Sequence, residues 1–307
     1  MFSLPLNRRA FLKRAAALGG TGLLPWHAAS AAEPDLAFLV VGDWGKPGIG
    51  ERRVAQAMEW CARNSSCRFV ISVGDNFYGK GVTSVDDPQW QTTFEDVFSG
   101  EALQVPWYAV LGNHDYIGNP TAQIDYSKQH PRWHMPAHYY LHREILADGE
   151  PVDFFFIDTN LLWQPNEAQE IAGVDPTAQL AWLETALAQS TARWKLVVGH
   201  HPVFSGGERH GDTTGLIVQL KPLLDRYGVQ VYFNGHDHNL QHIIIDGIHF
   251  ITSGAGSEVR QTGQRAGLIF AADRLGFVEA RFRSRGLTIE FIDSDGASLH
   301  STEIAIS

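Results

Sequence analysis

Five short motifs in this chain carry the side chains best suited to holding metal ions. They are Gly42-Asp43-Trp44-Gly45, Gly74-Asp75-Asn76-Phe77-Tyr78, Gly112-Asn113-His114-Asp115, Gly199-His200-His201-Pro202 and Gly235-His236-Asp237-His238. Each follows an apolar run, and each opens on a glycine, which lets the chain turn sharply and lets backbone come close to a bound group. Carboxylates and amide oxygens are hard ligands, and imidazoles suit zinc, iron and similar ions. Ligands of open α/β sheets bind beyond the carboxyl ends of the strands, so five such ends would gather Asp, Asn and His around one point. Two ions held there could clamp the attacking and leaving oxygens of a phosphoryl transfer. A lone Gly-Asp or Asn-His-Asp is most often a polar turn. It is the set of five, in order, that points to a metal pair.

The elements that must position these motifs follow from hydrophobic periodicity. Strands are expected over 35–42, 69–73, 107–111, 154–157, 195–198 and 229–233, and helices over 49–63, 176–190 and 216–227. After Asn239 the pattern changes to short alternating strands over 240–245, 249–252, 267–272, 277–282 and 287–292, which read as an antiparallel run. The fold class expected is α/β, a four-layer α/β/β/α sandwich of two mixed β-sheets flanked by helices. The segments 83–104 and 160–175 are the longest without periodicity and read as surface loops, a kind that often borders a site.

Composition narrows the partners. A formal net charge of -10 over 307 residues speaks against a nucleic-acid backbone as partner. At the start of the chain, Asn7-Arg8-Arg9-Ala10-Phe11-Leu12-Lys13-Arg14 is basic, an apolar run covers 15–24, and Ala28, Ala29, Ser30, Ala31 and Ala32 are small. This reads as a twin-arginine export signal over 1–32, cleaved after Ala31 or Ala32, with the twin-arginine export machinery as partner. The apolar run is too short to span a bilayer, so no stable membrane anchor is expected. A periplasmic or secreted bacterial monomer is expected, with 33–307 as one catalytic domain. Cys61 and Cys67 suit either a local disulfide or a pair of free thiols, and two cysteines alone supply no zinc knuckle.

The motif order resembles the calcineurin-like metallophosphoesterases. Tyr78 in its Gly-Asp-Asn-Phe-Tyr setting is similar to the purple acid phosphatases among them. So are Gln179-Leu180-Ala181-Trp182-Leu183, Val197-Val198-Gly199-His200, the stretch Asn239-Leu240-Gln241 after the last motif, and Ser253-Gly254-Ala255-Gly256. The resemblance runs from about residue 35 to about residue 256 and is closest to the short, single-domain animal-type branch. It implies that Asp43, Asp75, Tyr78 and His238 bind Fe(III), that Asp75 bridges, and that Asn113, His200 and His236 complete a second site for Fe(II), Zn(II) or Mn(II). It implies hydrolysis of small-molecule phosphate monoesters by hydroxide formed at the metal pair. His114 would contact phosphate and, with His210, protonate the leaving group. His210, before Gly211, is the best match to an outer histidine of the family, in a loop one residue longer here. His201 stands where the animal-type branch commonly has Tyr and rivals His210 for substrate contact, packing being its plainer reading. The segment 160–175 corresponds to a loop that covers the site in relatives, and its sequence departs from theirs. Two other readings stay open. A phosphodiesterase or nucleotidase is opposed by Tyr78, and a non-catalytic metal-binding scaffold is opposed by the intact donor set.

Overall fold

The computed structural model describes residues 35–283 and 286–306; the segment read as an export signal, 1–32, lies outside them. In chain order the structure runs β1 (Leu36–Val41), α1 (Ile49–Ser65), β2 (Phe69–Ser72), β3 (Trp107–Ala109), α2 (Pro120–Ser127), β4 (Trp133–His134), β5 (Tyr140–Ile145) and β6 (Pro151–Phe156). There follow α3 (Asn160–Trp163), α4 (Pro165–Ala172), α5 (Pro176–Gln189), β7 (Trp194–Val198), α6 (Thr214–Gln219), α7 (Lys221–Arg226) and β8 (Val231–Asn234). The remainder is β9 (Leu240–Ile245), β10 (Ile248–Ser253), β11 (Leu268–Ala272), β12 (Gly276–Arg283), β13 (Gly286–Asp293) and β14 (Ser298–Ala305).

These strands form two seven-stranded sheets, ordered β14-β13-β12-β1-β2-β3-β4 and β11-β9-β10-β8-β7-β6-β5. Both are mixed. In the first, β1 to β4 run parallel and β12 to β14 add antiparallel beside β1. In the second, β6, β7, β8 and β10 run parallel, with β5 antiparallel on one side and β9 and β11 on the other. The antiparallel reading of the last third is corrected at one point, since β10 pairs parallel with β8, placing Thr252 opposite Asn234.

The apolar pattern explains the layers. Every residue of β1, Leu-Ala-Phe-Leu-Val-Val, is buried, as suits a parallel strand covered on both faces. Strand side chains alternate between faces. Phe154 and Phe156 therefore join the core between the sheets with Phe38 and Phe69, while Phe155 and Ile157 join the core beneath α5, α6 and α7. Phe38 meets Phe154 and Phe233 of the opposite sheet edge to face, at 5.3 and 6.1 Å. The first sheet is covered by α1, which buries Val54, Ala55, Met58, Cys61 and Ala62 as a stripe at helical spacing. Leu183, Leu187, Leu216 and Leu224 cover the second sheet. The order is helix, sheet, sheet, helix.

Two local expectations change. The single helix expected over 216–227 is two, α6 and α7, because Pro222 has no N–H to give Val218 and so breaks the ladder. The segment 160–175 is not a bare loop but folds as α3 and α4, each one or two turns long. Cys61 and Cys67 are both buried free thiols; burial pushes both up, Cys67 to about 12. Among the described residues no helix is long and apolar enough to cross a membrane.

Candidate metal centre

Each predicted donor lies just past the carboxyl end of a parallel strand. Asp43 follows β1, Asp75 and Tyr78 follow β2, Asn113 and His114 follow β3, His200 follows β7, and His236 and His238 follow β8. Backbone hydrogen bonds lock the two sheets together at this edge: Gly42 N–H reaches the Ser253 carbonyl at 2.8 Å, and Gly256 N–H reaches the Gly42 carbonyl at 3.1 Å. His236 N–H donates across the same junction to Asp43 Oδ2 at 2.8 Å.

Three donors are held in strained backbone. Asp43, Asp75 and His236 have φ of 55, 52 and 68°, left-handed values that a residue with a Cβ rarely takes. Such strain persists only where the surroundings over-determine it, and it clusters at functional sites. The motif glycines mostly serve another purpose. A Cβ on Gly112 would lie 2.2 Å from Asp75 Oδ1, and one on Gly235 would lie 2.4 Å from Asp43 Oδ2. The donors themselves make the turn, and the glycines clear the space they turn into.

The donor atoms form two groups. In one, the Tyr78 hydroxyl lies 3.0 Å from Asp43 Oδ1 and 2.8 Å from His238 Nε2, and His238 Nε2 lies 3.3 Å from Asp43 Oδ1. In the other, Asn113 Oδ1 lies 2.9 Å from His236 Nδ1 and 3.3 Å from His200 Nε2. His200 Nε2 is also 3.3 Å from His236 Nδ1 and 3.5 Å from Asp75 Oδ1. Ligand atoms of Asp43, Asp75 and His200 lie within 4.8 Å of one another, so the groups adjoin through the carboxylates.

The second group has the donor chemistry of a divalent-cation site. His200 donates Nδ1–H to the Val73 carbonyl at 2.8 Å, which leaves a lone pair at Nε2. That lone pair faces a carboxylate oxygen, an amide oxygen and another imidazole nitrogen. A single proton on His236 Nδ1 satisfies Asn113 and leaves the rest opposed, whereas a divalent ion satisfies all four. Charge in the first group points the same way. Burial, reinforced by the Asp43 and Asp75 carboxylates, pushes the Tyr78 phenol well above its usual range. A phenolate there needs strong neighbouring positive charge, which suits a trivalent ion. Burial raises Asp75. For Asp43 the burial effect is outweighed by the hydrogen bond and charge of His238, which leave it below the usual carboxylate range. Burial, then its histidine neighbours, keep His236 neutral far below its usual value.

The three outer histidines separate clearly. His114 donates its backbone N–H to Asp75 Oδ1 at 2.9 Å and packs on the Tyr78 ring at 4.4 Å, and its Nδ1 is buried with no protein partner. His210 reaches the centre, its ring 4.2 Å from that of His236 and its Nε2 3.2 Å from an Arg260 guanidinium nitrogen. Burial, then Arg260 and Arg209, lower it to about 4. His201 has no exposed surface and is packed between Trp163 and His236, both at 4.5 Å. Its Nδ1 meets the Thr159 hydroxyl at 2.8 Å, its Nε2 is buried with no protein partner, and a ring nitrogen lies within 4.8 Å of ligand atoms of His200 and His236, so it packs directly behind the second donor group.

Two supporting residues escaped sequence reasoning. Asp115, quoted in the third motif without a role, accepts from the backbone N–H of Gly112, Asn76 and Phe77 at 2.8, 3.1 and 3.1 Å and from Gln123 Nε2 at 2.8 Å. It ties the loop of Asp75 to the loop of Asn113, and its place directly after His114 was the available signal. Thr159 accepts from the backbone N–H of both His200 and His201, at 3.2 and 2.9 Å; nothing in its sequence setting marks it.

Residues 36–240 match the family model described as calcineurin-like phosphoesterase. Tartrate-resistant acid phosphatase type 5 of Homo sapiens is 39% identical over 311 residues, covering 92% of this chain and 94% of that protein. Purple acid phosphatase 4 of Arabidopsis thaliana is 36% identical over 290 residues, covering 88% and 84%. Among solved structures, GAP50, titled the anchor in the inner membrane complex of Plasmodium, superposes with a TM-score of 0.81 at 28% identity, covering 89% of each chain. The chain belongs to the calcineurin-like phosphoesterase family and, within it, to the purple, tartrate-resistant type of acid phosphatase.

Proposed function

We propose that this chain is an exported binuclear-metal acid phosphatase that hydrolyses phosphate monoesters. The observation that carries the reading is the pair of buried donor groups that adjoin through Asp43 and Asp75, one containing a phenol and the other two imidazoles and an amide. Asp43, Asp75, Tyr78 and His238 would hold Fe(III). Asp75, Asn113, His200 and His236 would hold Fe(II), Zn(II) or Mn(II). When bound, the two ions supply Lewis-acid polarisation of the phosphoryl oxygens and activation of water.

The remaining work falls to side chains of the chain itself. Val73 fixes the His200 tautomer, and Asp115 and Thr159 fix the loops, so the donors are set before substrate arrives. His114, held by Asp75 and tilted against the Tyr78 ring, protonates the departing oxygen. At His210, Arg260 donates to Nε2, which leaves the ring proton on Nδ1, a hydrogen-bond donor toward a phosphate oxygen. Export rests on the paired arginines of 1–32 alone.

The fold is shared with a protein named an anchor, so fold by itself does not decide for catalysis; the intact donor set is what favours it. The metal-loaded protein is expected to turn over p-nitrophenyl phosphate at least tenfold more efficiently than bis-(p-nitrophenyl) phosphate. A reversed preference would make it a diesterase, and full metal occupancy with no turnover of any ester would make it a scaffold. His114→Ala is expected to slow esters with poor leaving groups more than those with good ones; equal rates would remove its acid role.

A further inference from the structure

His238 turns one ring nitrogen to the first donor group and leaves the other without a partner. Its Nε2 lies 2.8 Å from the Tyr78 hydroxyl and 3.3 Å from Asp43 Oδ1. Its Nδ1 is buried and meets no protein donor or acceptor. With Nε2 given to an ion, the single proton of the neutral imidazole sits on Nδ1. A buried N–H left unpaired is costly, and a metal-ligating histidine almost always donates that proton to an oxygen acceptor. A carboxylate faces it, with Glu258 Oε2 3.8 Å away. That gap exceeds a hydrogen bond, whose upper limit is about 3.2 Å.

The local structure fixes the backbone around Glu258 and leaves its side chain room to move. Its segment is anchored on both sides to the loops of the first donor group. Ser257 Oγ donates to the Asp43 carbonyl, and Arg260 N–H donates to the His238 carbonyl at 2.7 Å. The other carboxylate oxygen, Oε1, accepts from Lys46, which directly follows the first motif. The hydrogen bond and charge of Lys46 hold the Glu258 carboxyl below the usual carboxylate range, so it is an anion. Lys46 and His238 therefore share one carboxylate. The Lys46 and Glu258 side chains are 50% and 38% exposed, whereas the His238 side chain is 2% exposed. The pair can shift toward Nδ1 while the imidazole stays fixed.

We infer that Glu258 is a positioning residue that accepts the Nδ1–H of metal-bound His238, and that Lys46, by competing for the same carboxylate, tunes how strongly the first site favours Fe(III) over Fe(II). The inference rests on the metal-centre reading above. An anionic acceptor makes the imidazole a stronger donor through Nε2, and a stronger donor favours the more highly charged ion. The test is a potentiometric titration of the protein loaded with iron and zinc, read from the visible band that Tyr78→Phe abolishes. In Glu258→Ala the Fe(II) to Fe(III) ratio at a fixed potential is expected to rise at least tenfold, a shift of about 59 mV for one electron. In Lys46→Ala, which frees the carboxylate, the ratio is expected to fall at least threefold. Through-space charge alone would largely cancel when both residues are removed. The double variant is therefore expected to keep a rise of more than threefold. A double variant within threefold of the unaltered protein, or single variants that leave the ratio unchanged, would overturn the inference and leave the metal centre standing. An iron-loaded protein without the Tyr78 band would overturn both.

Discussion

His200 and Val73 meet where a strand from each sheet ends, and the imidazole Nδ1–H donates to the Val73 carbonyl at 2.8 Å. The bond turns His200 Nε2 toward Asn113, His236 and Asp75 and, in the neutral imidazole, leaves its lone pair there. His200→Ala removes that donor and leaves Asp43, Tyr78 and His238 in place. Metal analysis is expected to fall from two ions per chain toward one, with any visible band of the first ion retained. Loss of both ions, or retention of both, would show that the two donor groups do not act separately.

Asp115 holds three backbone N–H groups and Gln123 at the junction of two donor loops. Asp115→Ala leaves those buried donors without a partner. Each unsatisfied donor costs about 1–3 kcal/mol before relaxation. Urea unfolding is expected to show a loss of about 3 kcal/mol, and metal titration a 10–100-fold weaker affinity, typical of removing support behind a ligand. Unchanged values in both would mean that the loops stand without it.

The late-chain histidines outside the metal centre set an acid limit on stability. His242 of β9 uses both ring nitrogens, with Nε2 2.9 Å from His249 Nδ1 of β10 and Nδ1 3.3 Å from His300 Nε2 of β14, and so links the two sheets. Burial, then its two neighbours, lower His242 to about 3, and burial lowers His249 and His300 as well. A histidine with a folded value below its unfolded value of about 6.5 binds its proton more readily when unfolded. Its contribution is fully present above about pH 6.5 and is lost as pH falls toward 3. His242→Gln is expected to flatten the fall in unfolding free energy between pH 6.5 and 4.5 by up to about 1.4 kcal/mol per pH unit. An unaltered slope would mean that the trio does not titrate with unfolding.

How much of this was legible in the sequence depended on what each feature rests on. β1, β2, β7 and β8 are mainly apolar runs that lead into a glycine, so both the strands and the donors behind them were readable. β5 was not seen, because this edge strand exposes the apolar Leu141 and Ile145 together with Arg143, which blurs the alternation of apolar and polar positions. β14 was missed for the same reason, with Glu303 and Ser298 exposed. The left-handed φ of Asp43, Asp75 and His236 had no sequence signal, since none of the three is a glycine and their contacts come from loops distant in the chain. The segment that folds as α4 was read as a loop because its helix buries little beyond Ala168.

The most direct test of the metal centre is the visible absorption spectrum of the protein loaded with iron in air, beside that of Tyr78→Phe. With the Tyr78 hydroxyl 2.8 Å from His238 and 3.0 Å from Asp43, a phenolate on Fe(III) is expected to give a broad visible band that disappears in the variant. A colourless protein that still binds two ions, or a band that survives Tyr78→Phe, would contradict the assignment of Tyr78 as a ligand.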